Sequence, residues 1–190
     1  MPDFTIDPKK TALVLIDLQQ GIVSRQLAPY PAQDVVKKGA VLAARFRDKG
    51  AMVVYVRVDL ADMLKLSADK SQRDPNAPPP PPSASELAPE SGVKPDDIII
   101  TKRQWGAFFG TDLEQQLHQH GIKTIVLTGI ATNFGVESTA RQAWELGYEV
   151  ILIEDAATSM SAELHDMAIR HIFPRIARVA MCDGVGLSAA

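Results

Sequence analysis

The chain has 190 residues, 46% of them hydrophobic and 23% charged, which is enough apolar material for a buried core and about one domain's worth of chain. Lys and Arg number 20 against 23 Asp and Glu, a formal charge of −3, so the electrostatic footprint of a nucleic-acid or anionic-membrane binder is missing. No apolar run approaches the roughly 18 residues of a membrane span, and the opening Met1-Pro2-Asp3-Phe4 lacks a basic stretch followed by an apolar one, so a cytoplasmic protein is expected.

Residues 11–16 (TALVLI) form a continuous aliphatic run, the pattern of a strand buried on both faces of a parallel sheet, and the run ends on a charge, Asp17. From residue 32 to 49 apolar positions recur at helical spacing (Val35, Val36, Ala40, Leu42, Ala43, Phe46), and Gly50 supplies the stop. Residues 51–56 read as a second strand and 97–101 as a third. Asp112 is placed to cap a helix through His120, closed by Gly121. A fourth strand follows at 123–128, then a helix from Thr132 or Asn133 to Gly147, then a fifth strand at 149–153. Ser161, with Glu163 in the first turn, opens a last helix that must stop before Pro174, and 176–181 reads as a sixth strand. Strands alternating with helices imply a doubly wound α/β fold, a parallel sheet covered on both faces.

The irregular stretch, about 59–96, carries eight of the thirteen prolines, including the run 78–82, and cannot be continuous helix or central strand. It reads either as a solvated spacer or as an arm that closes a pocket or packs on a second subunit. With no repeat and no second core, one domain is expected over 1–190, with this segment as an insertion.

In an open parallel sheet the ligand crevice lies beyond the carboxyl ends of the strands, where strand order reverses. Asp17, Lys102 and the connection 129–135 (GIATNFG) stand at such ends. Burial raises the pKa of Asp17 unless a cation balances it, and Lys102 is the candidate cation. The plainer reading is a turn-capping aspartate and a solvated lysine. The connection starts a helix whose unpaired N–H groups suit an oxyanion or carboxylate, but it matches neither G-x-G-x-x-G nor a Walker loop, so no nucleotide cofactor is expected. Trp105, Phe108 and Phe109 are a core plug or a pocket wall, the wall being favoured, and Arg57 is either a carboxylate clamp or a surface ion-pair residue. His118, His120, His165 and His171 read as structural residues of helices, and Cys182 as a small buried apolar residue. One cysteine and no C-x-x-C or H-E-x-x-H spacing leave no disulfide and no expected metal.

Three segments, 15–20 (LIDLQQ), 101–113 (TKRQWGAFFGTDL) and 126–140 (VLTGIATNFGVESTA), resemble the isochorismatase-like hydrolase superfamily in order, spacing and context. The resemblance implies a three-layer α/β/α fold with sheet order 3-2-1-4-5-6, a cis peptide at Ile130–Ala131, and a site of aspartate, lysine and cysteine. The aspartate falls on Asp17, the lysine on Lys102 and the cysteine on Gly135. Substrate contacts implied by the matching segments are Gln19, Trp105, Phe108, Ile130, Ala131, Thr132, Asn133 and Phe134, with Arg57 as candidate clamp. A glycine at 135 offers no nucleophile, which excludes amide hydrolysis through an acyl-thiol intermediate, and Ser138 points to another side of the helix. Isochorismatases include members with glycine at this place, where protonation of a vinyl ether drives hydrolysis without a covalent step. Their tyrosine-alanine-histidine segment is replaced here by Ala131-Thr132-Asn133, and the Asp/His metal set of nicotinamidases has no match after the second strand, where Asp59 and Asp62 lack a histidine. The expected function is thiol-free hydrolysis of a small carboxylated metabolite by a homo-oligomer without cofactor, and the alternative is a catalytically silent binding or assembly protein.

Overall fold

The computed structural model describes residues 4–70 and 77–188; Met1, Pro2, Asp3 and Pro75 are among the residues outside it. The aliphatic runs form the strands their composition implies. In chain order these are β1 (Phe4–Ile6), β2 (Thr11–Ile16), β3 (Met52–Val58), β4 (Ile98–Lys102), β5 (Thr124–Ile130), β6 (Glu149–Thr158), β7 (Arg178–Ala180) and β8 (Val185–Leu187). The helices are α1 (Gln20–Val23), α2 (Ala32–Asp48), α3 (Leu113–Gln119), α4 (Glu137–Glu145), α5 (Ala162–Met167) and α6 (Phe173–Ile176).

Six strands pair in parallel in the order β4-β3-β2-β5-β6-β7, the 3-2-1-4-5-6 order of the expected sheet. Alternation along β2 and β3 feeds two cores. Leu13, Leu15, Val53 and Tyr55 pack with Leu42 and Phe46 of α2 on one face. Ala12, Val14, Val54 and Val56 pack with Leu113 and Leu117 of α3 and Ala140 and Ala143 of α4 on the other. That is the three-layer α/β/α arrangement, with the reversal of strand order falling between β2 and β5. No helix among the described residues is long and apolar enough to cross a membrane.

Several elements depart from the sequence expectation. β6 continues past Ile153 through Glu154 and Asp155, because a register shift opposite Leu127 and Gly129 lets Ala157 and Thr158 resume pairing with Gly129 and Ile130. The closing helix does not stop before Pro174. A widened turn, Ala168–Ile172, links α5 to α6, and Pro174 lies at the start of the new segment, where its missing N–H costs no intrahelical bond. The Asp112 side chain does not cap α3; Thr111 Oγ1 accepts from Leu113 N at 3.2 Å instead. β1 and β8 form a separate parallel pair outside the six strands expected from the sequence.

The proline-rich segment is not a free spacer where it returns to the sheet. Short 3-10 turns, Pro82–Ser85 and Pro89–Ser91, bury Ala84, and Ala88 is buried between them. Leu87 bridges Gln19, Glu86 O accepts from Gln20 N at 2.9 Å, and Ala88 N donates to Leu18 O at 2.9 Å. Further along, Tyr55 Oη donates to Ser91 O at 2.7 Å, so this half of the segment is stitched beside the carboxyl end of β2.

Candidate functional site

Asp17 follows the last residue of β2, and its N–H donates to Val56 O at 2.8 Å. Its φ of 53° is left-handed, a region that Asp tolerates better than most side chains and that turns the carboxylate out of the strand pattern. Lys102 is the last residue of β4, one position inside the strand rather than just past it. The two side chains meet: Lys102 Nζ donates to Asp17 Oδ2 at 2.9 Å and to Trp105 O at 2.6 Å. Both are buried, with 5% of Asp17 and 1% of Lys102 exposed. Among the described residues, Asp17 Oδ1 has no hydrogen-bond partner. Burial pushes the Asp17 carboxyl above its ordinary 3.8, and the charge and hydrogen bond of Lys102 only partly offset that push.

The third part arrives from β5. Gly129 has φ 118°, and a Cβ there would lie 2.2 Å from Ile16 O, so only glycine lets β5 pass so close to β2. A cis peptide at Ile130–Ala131 follows, and then a widened helical turn, Thr132–Val136, leads into α4. Phe134 N and Val136 N both donate to Ala131 O, at 3.0 and 3.2 Å. At Gly135 a Cβ would lie 3.1 Å from Lys102 Nζ and 3.2 Å from Asp17 Oδ2. Any side chain at 135 would therefore be aimed at the ion pair, and glycine leaves that place clear.

The surrounding residues divide sharply. Trp105, 41% exposed, packs on Phe134, the residue before Gly135, with ring centroids 4.9 Å apart. Asn133 Oδ1 accepts from Ser159 Oγ. Thr132 is fully buried against His165. Ile130 and Ala131 are buried in the core on the α2 face. Phe108, expected in the wall, is instead in the core under α3 and α4, with its ring 6.0 Å from Tyr148. Gln19 is fully buried and already bonded: Nε2 donates to Val58 O at 2.9 Å and Ala84 O at 3.1 Å, and Oε1 accepts from Val58 N at 2.8 Å. It ties the end of β3 to the proline-rich segment rather than waiting for a ligand. Arg57 Nε donates to Thr101 Oγ1 at 3.0 Å, beside a strand position that alternates away from Lys102, so the structure does not bring it to the ion pair. Cys182 lies after β7, half-buried, with its N–H on Asp155 Oδ1; burial and then Asp155 push its thiol up to about 12.

Sequence reasoning did not single out Thr139 or Ser159, and it read His165 only as a structural residue of its helix, without the partner it has. Thr139 Oγ1 donates to Gly135 O at 2.7 Å and accepts from Ala107 N at 3.2 Å, joining the Gly135 turn to the segment that carries Trp105. Its place one helical turn after Gly135 was the available signal. Ser159 and His165 gave none, because their partners are 26 and 33 residues away. Among the described residues, no three His, Cys, Asp or Glu side chains converge as a metal cluster.

Comparison with known proteins agrees with this architecture. Residues 11–182 match the family model described as the Isochorismatase domain. The chain is 48% identical over 186 residues to YecD of Escherichia coli O157:H7, covering 92% of this chain and 93% of that protein. It is also 48% identical over 181 residues to YwoC of Bacillus subtilis (strain 168), covering 94% and 93%. Both relatives are named as uncharacterised isochorismatase family proteins. The solved structure of an isochorismatase family protein from Burkholderia thailandensis shares 46% identity and a TM-score of 0.88, with 95% of each chain covered.

Proposed function

The chain belongs to the isochorismatase family, and on that premise we propose that it hydrolyses a small, planar, carboxylated metabolite without a thiol, Asp17 serving as general acid. The observation that carries the reading is a buried carboxyl, Asp17, with one oxygen held by Lys102 and the other without a partner among the described residues, beside a position that has no side chain. Gly135 is read as standing where the family's thiol would project; a Cβ there would meet both Asp17 and Lys102. Without a nucleophile at that place, the chemistry must run by proton transfer and water.

Hydrolysis of a vinyl ether fits. Asp17 donates its proton to the terminal methylene carbon, and the ether-bearing carbon becomes an oxocarbenium centre. Water adds there, its released proton returns to Asp17, and the hemiketal breaks its C–O bond to give an alcohol and a keto acid. Burial holds Asp17 in its protonated form at higher pH than an exposed carboxyl, and Lys102 fixes the carboxyl's orientation and opposes negative charge on substrate oxygens. Trp105 and Phe134 offer a face for a planar group. We further take the active form to be a homo-oligomer, which a monomer mass in solution light scattering would overturn.

The test is pyruvate release from isochorismate by the purified protein beside Asp17→Asn. Loss of the acid should lower turnover by about a hundredfold to ten-thousandfold while the nearly isosteric side chain leaves the fold intact. Turnover that survives Asp17→Asn would remove Asp17 from the role. No release by the parent protein, with ligand still raising its melting temperature, would mark a silent binding protein instead.

A further inference from the structure

His165, on α5, is 1% exposed. Its Nδ1 lies 2.8 Å from Thr132 Oγ1, while Nε2 is buried and has no hydrogen-bond partner among the described residues. The Tyr30 ring meets the imidazole nearly edge-on, at 87° with centroids 5.8 Å apart. In a neutral imidazole either tautomer keeps the bond to Thr132, since the hydroxyl can donate or accept. The imidazolium carries a proton at Nε2 whichever tautomer it forms from, and among the described residues no acceptor waits there. Burial also disfavours the cation.

The partner of this imidazole gives it significance. Thr132 opens the widened turn that carries Gly135, and three residues further on that turn comes within 3.1–3.2 Å, as measured from an ideal Cβ, of Lys102 Nζ and Asp17 Oδ2. The turn is held on its other side by Thr139 Oγ1, which donates to Gly135 O. We propose that His165 is a positioning residue: its bond to Thr132 sets how far Gly135 stands from the Asp17–Lys102 pair, and hence how a substrate atom seats between them. The proposal rests on reading that pair as the reacting groups. It concerns no new covalent step.

A space-filling role makes the opposite prediction, so the variants separate the two. Thr132→Val removes the hydroxyl at nearly constant volume. His165→Leu fills the cavity without the bond, whereas His165→Asn loses ring volume but keeps a polar atom near the Nδ1 place. With isochorismate as probe, Thr132→Val and His165→Leu should each lower kcat by about tenfold to a hundredfold with KM within about twofold, the loss expected of a misplaced site. The double variant should be no worse than either single change, and His165→Asn should recover most of the loss. The Gly135 amide resonance should shift in Thr132→Val and His165→Leu and return in His165→Asn. If Thr132→Val leaves kcat and the Gly135 resonance unchanged, or His165→Leu outperforms His165→Asn, the proposal fails. If the parent protein turns over no isochorismate, the reading of the reaction fails, and the Gly135 resonance alone decides whether His165 positions the turn.

Discussion

At position 135 an absent side chain shapes the site as much as the two charged ones. Gly135 has no left-handed φ, so the backbone accepts alanine there, and replacing a glycine in a helical segment by alanine is worth about 0.5–1 kcal/mol in chain entropy. The new methyl, however, would stand 3.1 Å from Lys102 Nζ and 3.2 Å from Asp17 Oδ2, tighter than ordinary contact, and Lys102 is tethered by two hydrogen bonds. Gly135→Ala should therefore stay within about 1 kcal/mol of the parent in urea denaturation while turnover falls about tenfold or more. Equal turnover would mean that no substrate atom uses that space. The acid at 17 gives a second check: its pKa is raised above 3.8, by burial first, so turnover that needs the protonated form should fall as pH rises through that elevated value. The meeting of Asp17 with Lys102 could be read from the sequence because an aliphatic run ends beside each one and strand ends face the crevice. Gln19, Arg57 and Phe108 could not. Residue type shows what a side chain is able to bond, and in these three the bonds and contacts go to Val58, Ala84, Thr101 and the core.

Among elements, the strands were the most legible, because a parallel strand buried on both faces is written as an unbroken aliphatic run. Legibility failed where backbone geometry leaves the regular menu. The widened turns Thr132–Val136 and Ala168–Ile172 have no composition of their own, and the second carries the chain past Pro174. The returning half of the proline-rich segment shows the same limit. Proline marks where ladders cannot run, yet the docking is done by backbone groups of Leu18, Gln20, Glu86 and Ala88 and by the Gln19 amide. Gln19→Leu keeps much of the volume but leaves Val58 N–H, Val58 O and Ala84 O without this partner. At about 1–3 kcal/mol for a buried group left unsatisfied, a destabilisation of about 2–4 kcal/mol is expected in urea denaturation. Protease cleavage within 59–96 should become faster in the same variant. A change below about 0.5 kcal/mol would show that the segment docks without Gln19.

Across the whole molecule, the reversal of strand order between β2 and β5 brings Asp17, Lys102 and Gly135 together at or beyond the carboxyl ends of three separate strands, where polar groups are buried. His165 makes the cost of such burial measurable. Its folded-state pKa is lowered from 6.5 by burial, with Asp166 pulling weakly the other way. The unfolded chain therefore binds a proton at this residue before the folded one does, so the contribution of His165 to stability is complete above about pH 6.5 and is lost progressively as pH falls toward the depressed value. Asp17 and Glu154 act with the opposite sign. Their carboxyls are raised above 3.8 and 4.5, by burial first, so the folded state binds the extra proton and stability falls as pH rises through their windows. The raw stability profile in acid is a sum of opposed slopes and assigns nothing by itself. The difference between the parent and His165→Asn isolates one of them, since the variant keeps a polar partner for Thr132 but cannot titrate. Urea denaturation at pH 7.5, 6.5, 5.5 and about 5 should show the parent's advantage over the variant shrinking as pH falls below about 6.5. A constant difference across that range would mean that His165 takes up its proton as easily when folded as when unfolded, which a buried imidazole with no acceptor at Nε2 among the described residues does not allow.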